Sequence, residues 1–177
     1  MTTEPIAAAM QRLRSILQRR PAAGLAEDSI ALSIWQGAGR VATRHVHGTQ
    51  VLTDLPEALG GTGEGMSPGW LLRAGLTACL TSSIVMAAAH AGIELTQLEV
   101  QATSRSDARG LFGMSDAEGR CISAAPLAVR VSVLIAARRA NAAQLRAVVD
   151  EGGRCSPVLA ALLEPVPIEM SVEAREA

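Results

Sequence analysis

Apolar positions near the start of the chain, Ile6, Met10, Leu13 and Leu17, recur at spacings of four, three and four, with Arg12, Arg14, Arg19 and Arg20 between or after them. That period predicts an amphipathic helix over residues 5 to 20. Pro21 to Asp28 breaks it, and from Ser29 the pattern shortens to segments rich in Ile, Val and Thr punctuated by Gly37-Ala38-Gly39 and His47-Gly48. Two or three meandering strands are expected over residues 29 to 54. A glycine-rich loop runs from Pro56 to Met66. Ser67 then caps, and Pro68 starts, a long helix ending near Gly92. Leu71, Leu72, Leu76, Leu80, Ile84, Val85 and Met86 lie all round this helix, so it must be covered on most sides.

Alternation in Leu95, Leu98, Val100 and Ala102 predicts a strand, followed by a polar loop from Ser104 to Gly119 that carries Asp107-Ala108-Arg109-Gly110. Val129, Val131, Val133 and Ile135 predict another strand over 128 to 136, and Asn141 caps a helix carrying Leu145, Val148 and Val149. Gly152-Gly153 is expected to separate that helix from a short one over Pro157 to Leu163, and Val166 to Val172 to close as a strand. Strand runs with segregated helices make an α+β fold.

Composition narrows the chemistry. With 177 residues, 49% hydrophobic and 19% charged, the chain reads as one well-cored domain, divided as a leading helix and linker over residues 1 to 28 and a main unit over 29 to 177. All 16 basic residues are Arg, which excludes Schiff-base lysines and phosphate-loop lysines. Aromatics are limited to Phe112, Trp35 and Trp70, and the net charge is -1, so nucleic acid is not an expected partner. The N-terminus lacks a basic segment followed by an apolar core, and a cytoplasmic location is expected. The uncharged run from Ala74 to Ala89 covers 16 residues and includes Thr77, Thr81, Ser82 and Ser83, short of the roughly 20 that span a bilayer. No membrane association is expected. His45 and His47 share a strand face and could bind a metal if Asp54 approached, but two histidines beside a turn are usually polar surface, and no metal or cofactor is expected.

The remaining candidate chemistry is sulfur. Cys79 sits inside the long helix, and Cys155 lies where the short helix at Pro157 begins. A thiol on a rigid element and a second at a helix start can cycle between dithiol and disulfide. The plainer reading of Cys79 is a small buried hydrophobe, and Cys155 reads equally as an ordinary neighbour of a cap. Cys121, beside a strand and without a motif, reads as structural or exposed.

Leu59-Gly60-Gly61, Ser67-Pro68, Ala78-Cys79, Ala91-Gly92-Ile93 and Cys155-Ser156-Pro157-Val158, in that order over residues 29 to 173, resemble the family of osmotically inducible protein C and organic hydroperoxide resistance protein (OsmC/Ohr). The resemblance implies an OsmC-like fold, antiparallel sheets wrapped around long central helices in an intertwined homodimer, with a shared active site and the N-terminal helix as an addition. It implies a thiol peroxidase reducing small organic hydroperoxides, with Cys79 attacking, Cys155 resolving, Arg40 pairing with the thiolate, and a dithiol as reductant. Two positions differ from the family pattern. Gly69 stands where a glutamate commonly orients the arginine, a part Glu64 could take from the loop. Ser156 stands where a cysteine commonly precedes the proline, with Cys155 one residue earlier. Arg73 is close in sequence but about 120° off the face of Cys79. Trp70 could wall a pocket for a hydroperoxide tail or pack in the core or at a dimer contact. The alternative reading is a non-catalytic dimer that binds a small apolar ligand, its cysteines serving as packing.

Overall fold

Ser67 opens the helix that organises the molecule. Its hydroxyl accepts from the Trp70 amide, and Pro68 occupies the first turn, where an N–H would have no partner. The computed structural model describes residues 3–164 and 166–176. The expected leading helix is α1 (Glu4–Arg19), the meander is β1 (Ala31–Trp35), β2 (Val41–His45) and β3 (Gln50–Thr53), and the central helix is α2 (Pro68–His90). These are followed by β4 (Leu95–Arg105), a single turn α3 (Ala108–Leu111), β5 (Ala128–Ala137), α4 (Ala142–Arg154) and α5 (Pro157–Leu163).

The fold is α+β, with two separate antiparallel sheets, β1-β2-β3 and β4-β5, and a long helix against the second of them. Ile84, Ala88 and Val148 form the buried centre, with Leu98, Val100, Val133 and Ile135 from the β4-β5 sheet packed around it. α2 is 23 residues long, enough by length and composition to cross a membrane; α1, α4, α5 and β4 pack on part of it, and Leu72 and Met86 stay exposed. Arg14 Nη1 donates to His90 Nε2 at 3.1 Å, tying α1 to the end of α2.

Three expectations are corrected. Gly152 and Gly153 do not end α4 but lie inside it. Gly152 is buried where α4 meets α2, and a Cβ there would sit 2.6 Å from Ile84 Cγ1, so glycine is required by close helix approach rather than by a turn. The loop from Ser104 to Gly119 is shorter than expected, because β4 runs on to Arg105 and Asp107 caps α3, accepting from the Arg109 amide and its guanidinium, the latter at 2.6 Å. Residues 166 to 172 form no strand and pair with no strand among the described residues. Val166, Ile168, Met170 and Val172 keep their alternation but are all exposed.

The β1-β2-β3 sheet is likewise open, with Leu32, Ile34, Trp35 and Leu52 exposed. The single chain exposes 13666 Å². A compact monomer of this mass exposes about 8,200 Å².

Candidate active site

Cys79 lies in the middle of α2, between the buried Leu76, Leu80 and Ser83 and the exposed Gly75, Ser82 and Met86. Its thiol is free and half-buried. The group that meets it is Ser156, whose hydroxyl donates to Cys79 Sγ at 3.2 Å. Ser156 is only 1% exposed and is also the N-cap of α5, where its Oγ accepts from the Leu159 amide at 3.4 Å. One hydroxyl therefore closes a helix and points its proton at sulfur. Four residues further along α2, Ser83 Oγ donates to the Cys155 carbonyl at 3.4 Å. The two bonds clasp the α4–α5 junction onto the face of α2 that carries Cys79. Gly152 permits the approach, one turn before the junction.

Cys155 stands beside this clasp but faces the other way. Its thiol is exposed and donates to Glu151 Oε1 at 3.5 Å. Arg154 binds the same carboxylate through both Nη2, at 2.7 Å, and Nε, at 2.8 Å. Arg154, first, and then the Cys155 thiol and His90 hold the Glu151 carboxyl down to about 2, against the desolvation that would raise it. Cys155 is thus not a free sulfur poised over Cys79, since attack would require it to give up its carboxylate partner and its proton.

Arg40 follows the turn through Ala38, a non-glycine residue at φ +45°, and its Nη2 meets Glu64 Oε2 at 3.0 Å. Glu64, the loop carboxylate expected to be able to partner this arginine, is thus paired with it at the surface. The loop that carries Glu64 is held by Asp54, a buried carboxylate accepting from the Thr62 amide at 2.9 Å and the Leu55 amide at 2.8 Å, and from the Thr62 hydroxyl. Those bonds, the Thr62 hydroxyl first, hold its carboxyl below the ordinary value despite burial. Arg73 goes elsewhere, its Nη1 donating to Ser104 Oγ on β4 at 3.0 Å. No guanidinium hydrogen-bonds to Cys79 among the described residues.

Trp70, Arg73, Ala74 and Thr77 line a cleft of about 670 Å³ between α2 and β4. At 100° per residue these positions project from the side of α2 roughly opposite Cys79. Within one chain, Trp70 therefore walls a cleft that does not open onto the Cys79 thiol. His45 and His47 have ring centroids 4.9 Å apart, and His45 Nε2 meets Ser29 Oγ. Asp54 is occupied by Thr62 and Leu55, and no cluster of three metal-ligating side chains gathers among the described residues. Cys121 is exposed in an isolated bridge with Ser115.

Ser156 is the site residue that sequence reasoning passed over, although a signal for it exists. Ser156-Pro157 repeats the Ser67-Pro68 start of α2, and an N-cap side chain turns back over its own helix.

Residues 61–171 match the family model described as OsmC-like protein. The fold is similar to that of an OsmC-like protein from Mycoplasma pneumoniae, at 14% identity and a TM-score of 0.65 over 80% of this chain and 91% of that one. It is also similar to an organic hydroperoxide resistance protein from Elizabethkingia anophelis, at 16% identity and a TM-score of 0.56 over 78% and 89%. A third similar structure, from Legionella pneumophila, is an organic hydroperoxide resistance protein at 22% identity and a TM-score of 0.51 over 78% and 90%. No curated protein sequence matches.

Proposed function

Because the chain belongs to the OsmC-like protein family, we propose that it acts as a homodimeric cysteine peroxidase that reduces organic hydroperoxides, with Cys79 as the attacking thiol. The observation that carries the reading is the buried Ser156 hydroxyl aimed at the Cys79 sulfur, because a donor fixed at that distance stabilises negative charge developing there. In the reaction the Cys79 sulfur attacks one peroxide oxygen. An S–O bond forms, the O–O bond breaks, the alcohol leaves with a proton, and the sulfur becomes a sulfenic acid that a dithiol reduces.

The dimer is supported by surface. The open face of α2 presents Leu72, Gly75, Ser82 and Met86 with Cys79 among them, at spacings of three, four, three and four, the seam of two helices packed side by side. The exposed sheet and tail add apolar area that a second copy would cover. Cys79 then lies at the subunit boundary, and Arg40, held by Glu64, is the cation proposed for the thiolate.

The test is consumption of cumene hydroperoxide and of hydrogen peroxide with dithiothreitol as reductant. The organic peroxide should be consumed faster, Cys79→Ser should abolish turnover, and Arg40→Ala should slow the oxidation of Cys79. Undiminished turnover by Cys79→Ser would sink the mechanism. The second reading, a dimer that binds an apolar ligand without chemistry, is favoured by the engagement of Arg40 and Arg73 away from Cys79. It expects an unreactive Cys79 thiol.

A further inference from the structure

We infer that Cys79 works as the only redox sulfur of its cycle, with Ser156 as its positioning residue and an external thiol, not Cys155, as the group that resolves the sulfenic acid. This rests on the peroxidase reading above and concerns the second half of its cycle.

The backbone at the α4–α5 junction decides which side chain can face Cys79. The Cys155 amide donates to the Glu151 carbonyl at 3.1 Å, completing α4, and its carbonyl is turned to α2 to accept from Ser83. With both backbone groups fixed, the Cys155 side chain is directed outward to Glu151, and the next residue, Ser156, is directed inward. Exchanging them would break the last turn of α4, the Ser83 bond and the α5 cap together. Ser156 is among the most deeply buried side chains of the protein, whereas Cys155 is exposed. The third sulfur, Cys121, belongs to the exposed bridge with Ser115 on another part of the chain.

The sulfenic acid at Cys79 is therefore next to a hydroxyl, which cannot form a disulfide with it. Ser156 can hold the new S–OH group but not reduce it. A soluble dithiol completes the balance. Its first thiol attacks the Cys79 sulfur, an S–S bond forms, the S–O bond breaks and water leaves. Its second thiol then displaces the Cys79 sulfur, which takes up a proton, and the reductant departs as its own disulfide.

The experiment adds one equivalent of cumene hydroperoxide to the reduced full-length protein, with and without dimedone, followed by intact and peptide mass spectrometry. The expected product is one added oxygen on Cys79, trapped by dimedone, with no crosslink between Cys79 and Cys155. Cys155→Ser should keep full turnover with dithiothreitol. Ser156→Ala should slow the oxidation of Cys79 about tenfold, the worth of one hydrogen bond, and Ser156→Thr, which keeps the hydroxyl and the cap, should restore it. Ser156→Cys should give a rapid internal disulfide between Cys79 and the introduced thiol. A Cys79–Cys155 crosslink in the unmodified protein, or loss of turnover in Cys155→Ser, would overturn the inference while leaving the peroxidase intact. A Cys79 thiol that stays unoxidised would overturn both.

Discussion

The two sheets of this protein are built from similar material and have opposite fates. β4 and β5 bring Leu98, Val100, Val133 and Ile135 onto α2 and close a core around Ile84 and Val148. β1, β2 and β3 carry Leu32, Ile34, Trp35 and Leu52, no less apolar, and leave them in solvent. Ala42, Thr53, Gly39 and Asp54 behind them are buried. The difference teaches that hydrophobic alternation specifies a buried face without saying which body will bury it. One sheet finds its cover within the chain, and the other, like the tail beyond Val166, is left uncovered by it.

Four experiments break or sharpen that contrast. Ile84→Ala removes the side chain at the centre of the closed half and should cost about 3 kcal/mol in chemical denaturation, within the range for a large core residue cut to alanine. A loss near zero would mean that this core does not carry the stability. Leu72→Arg, on the exposed side of α2, should leave the fold intact by circular dichroism while raising the dimer dissociation constant about 100-fold, roughly 2.7 kcal/mol, in analytical ultracentrifugation. A monomer in the unsubstituted protein would show that the open surface is simply surface. Gly152→Ala puts a methyl group against Ile84 and should cost about 2 kcal/mol, with a change in the hydrogen exchange of Ser156 and Leu159 if the junction lifts off α2.

The smallest effect is one of pH. Glu151 is held down to about 2 from an ordinary 4.5, so its contribution to stability is complete above about pH 4.5 and is lost as the pH falls towards 2. Because the Arg154 pair is largely exposed, the change should be slight, and Glu151→Gln should flatten the stability curve only in that window. Flattening at higher pH would assign the effect to another group.

Much of this architecture is legible from local chemistry. Ser67-Pro68 and Asn141 announce α2 and α4 because the cap bonds lie within a turn of the residues that make them, and Asn141 with Gln144 forms the full reciprocal pair. The strands β4 and β5 follow from period two. What escapes is set by contacts distant in sequence. Gly152 looks like a break until Ile84 is brought against it. Val166 to Val172 has the period of a strand but pairs with no strand among the described residues. At the site, the two cysteines are visible as letters, but the turn between α4 and α5 decides which side chain points inward, and it chooses Ser156. Glu64 could be named from the sequence as a partner for Arg40, but the path of the glycine-rich loop that brings the two together depends on Asp54.

The tail from Val166 to Val172 also leaves Val166, Ile168, Met170 and Val172 in water. A folded copy has its α2 core complete while that greasy ribbon is uncovered, and if a second copy covers it, as proposed, pairing becomes a matter of encounter frequency rather than of folding. At low abundance the waiting time lengthens, and proteases and wrong partners compete for the same stretch. The supply of intact protein should therefore rise more steeply than its rate of synthesis, giving the cell a threshold below which the chain is made but not kept.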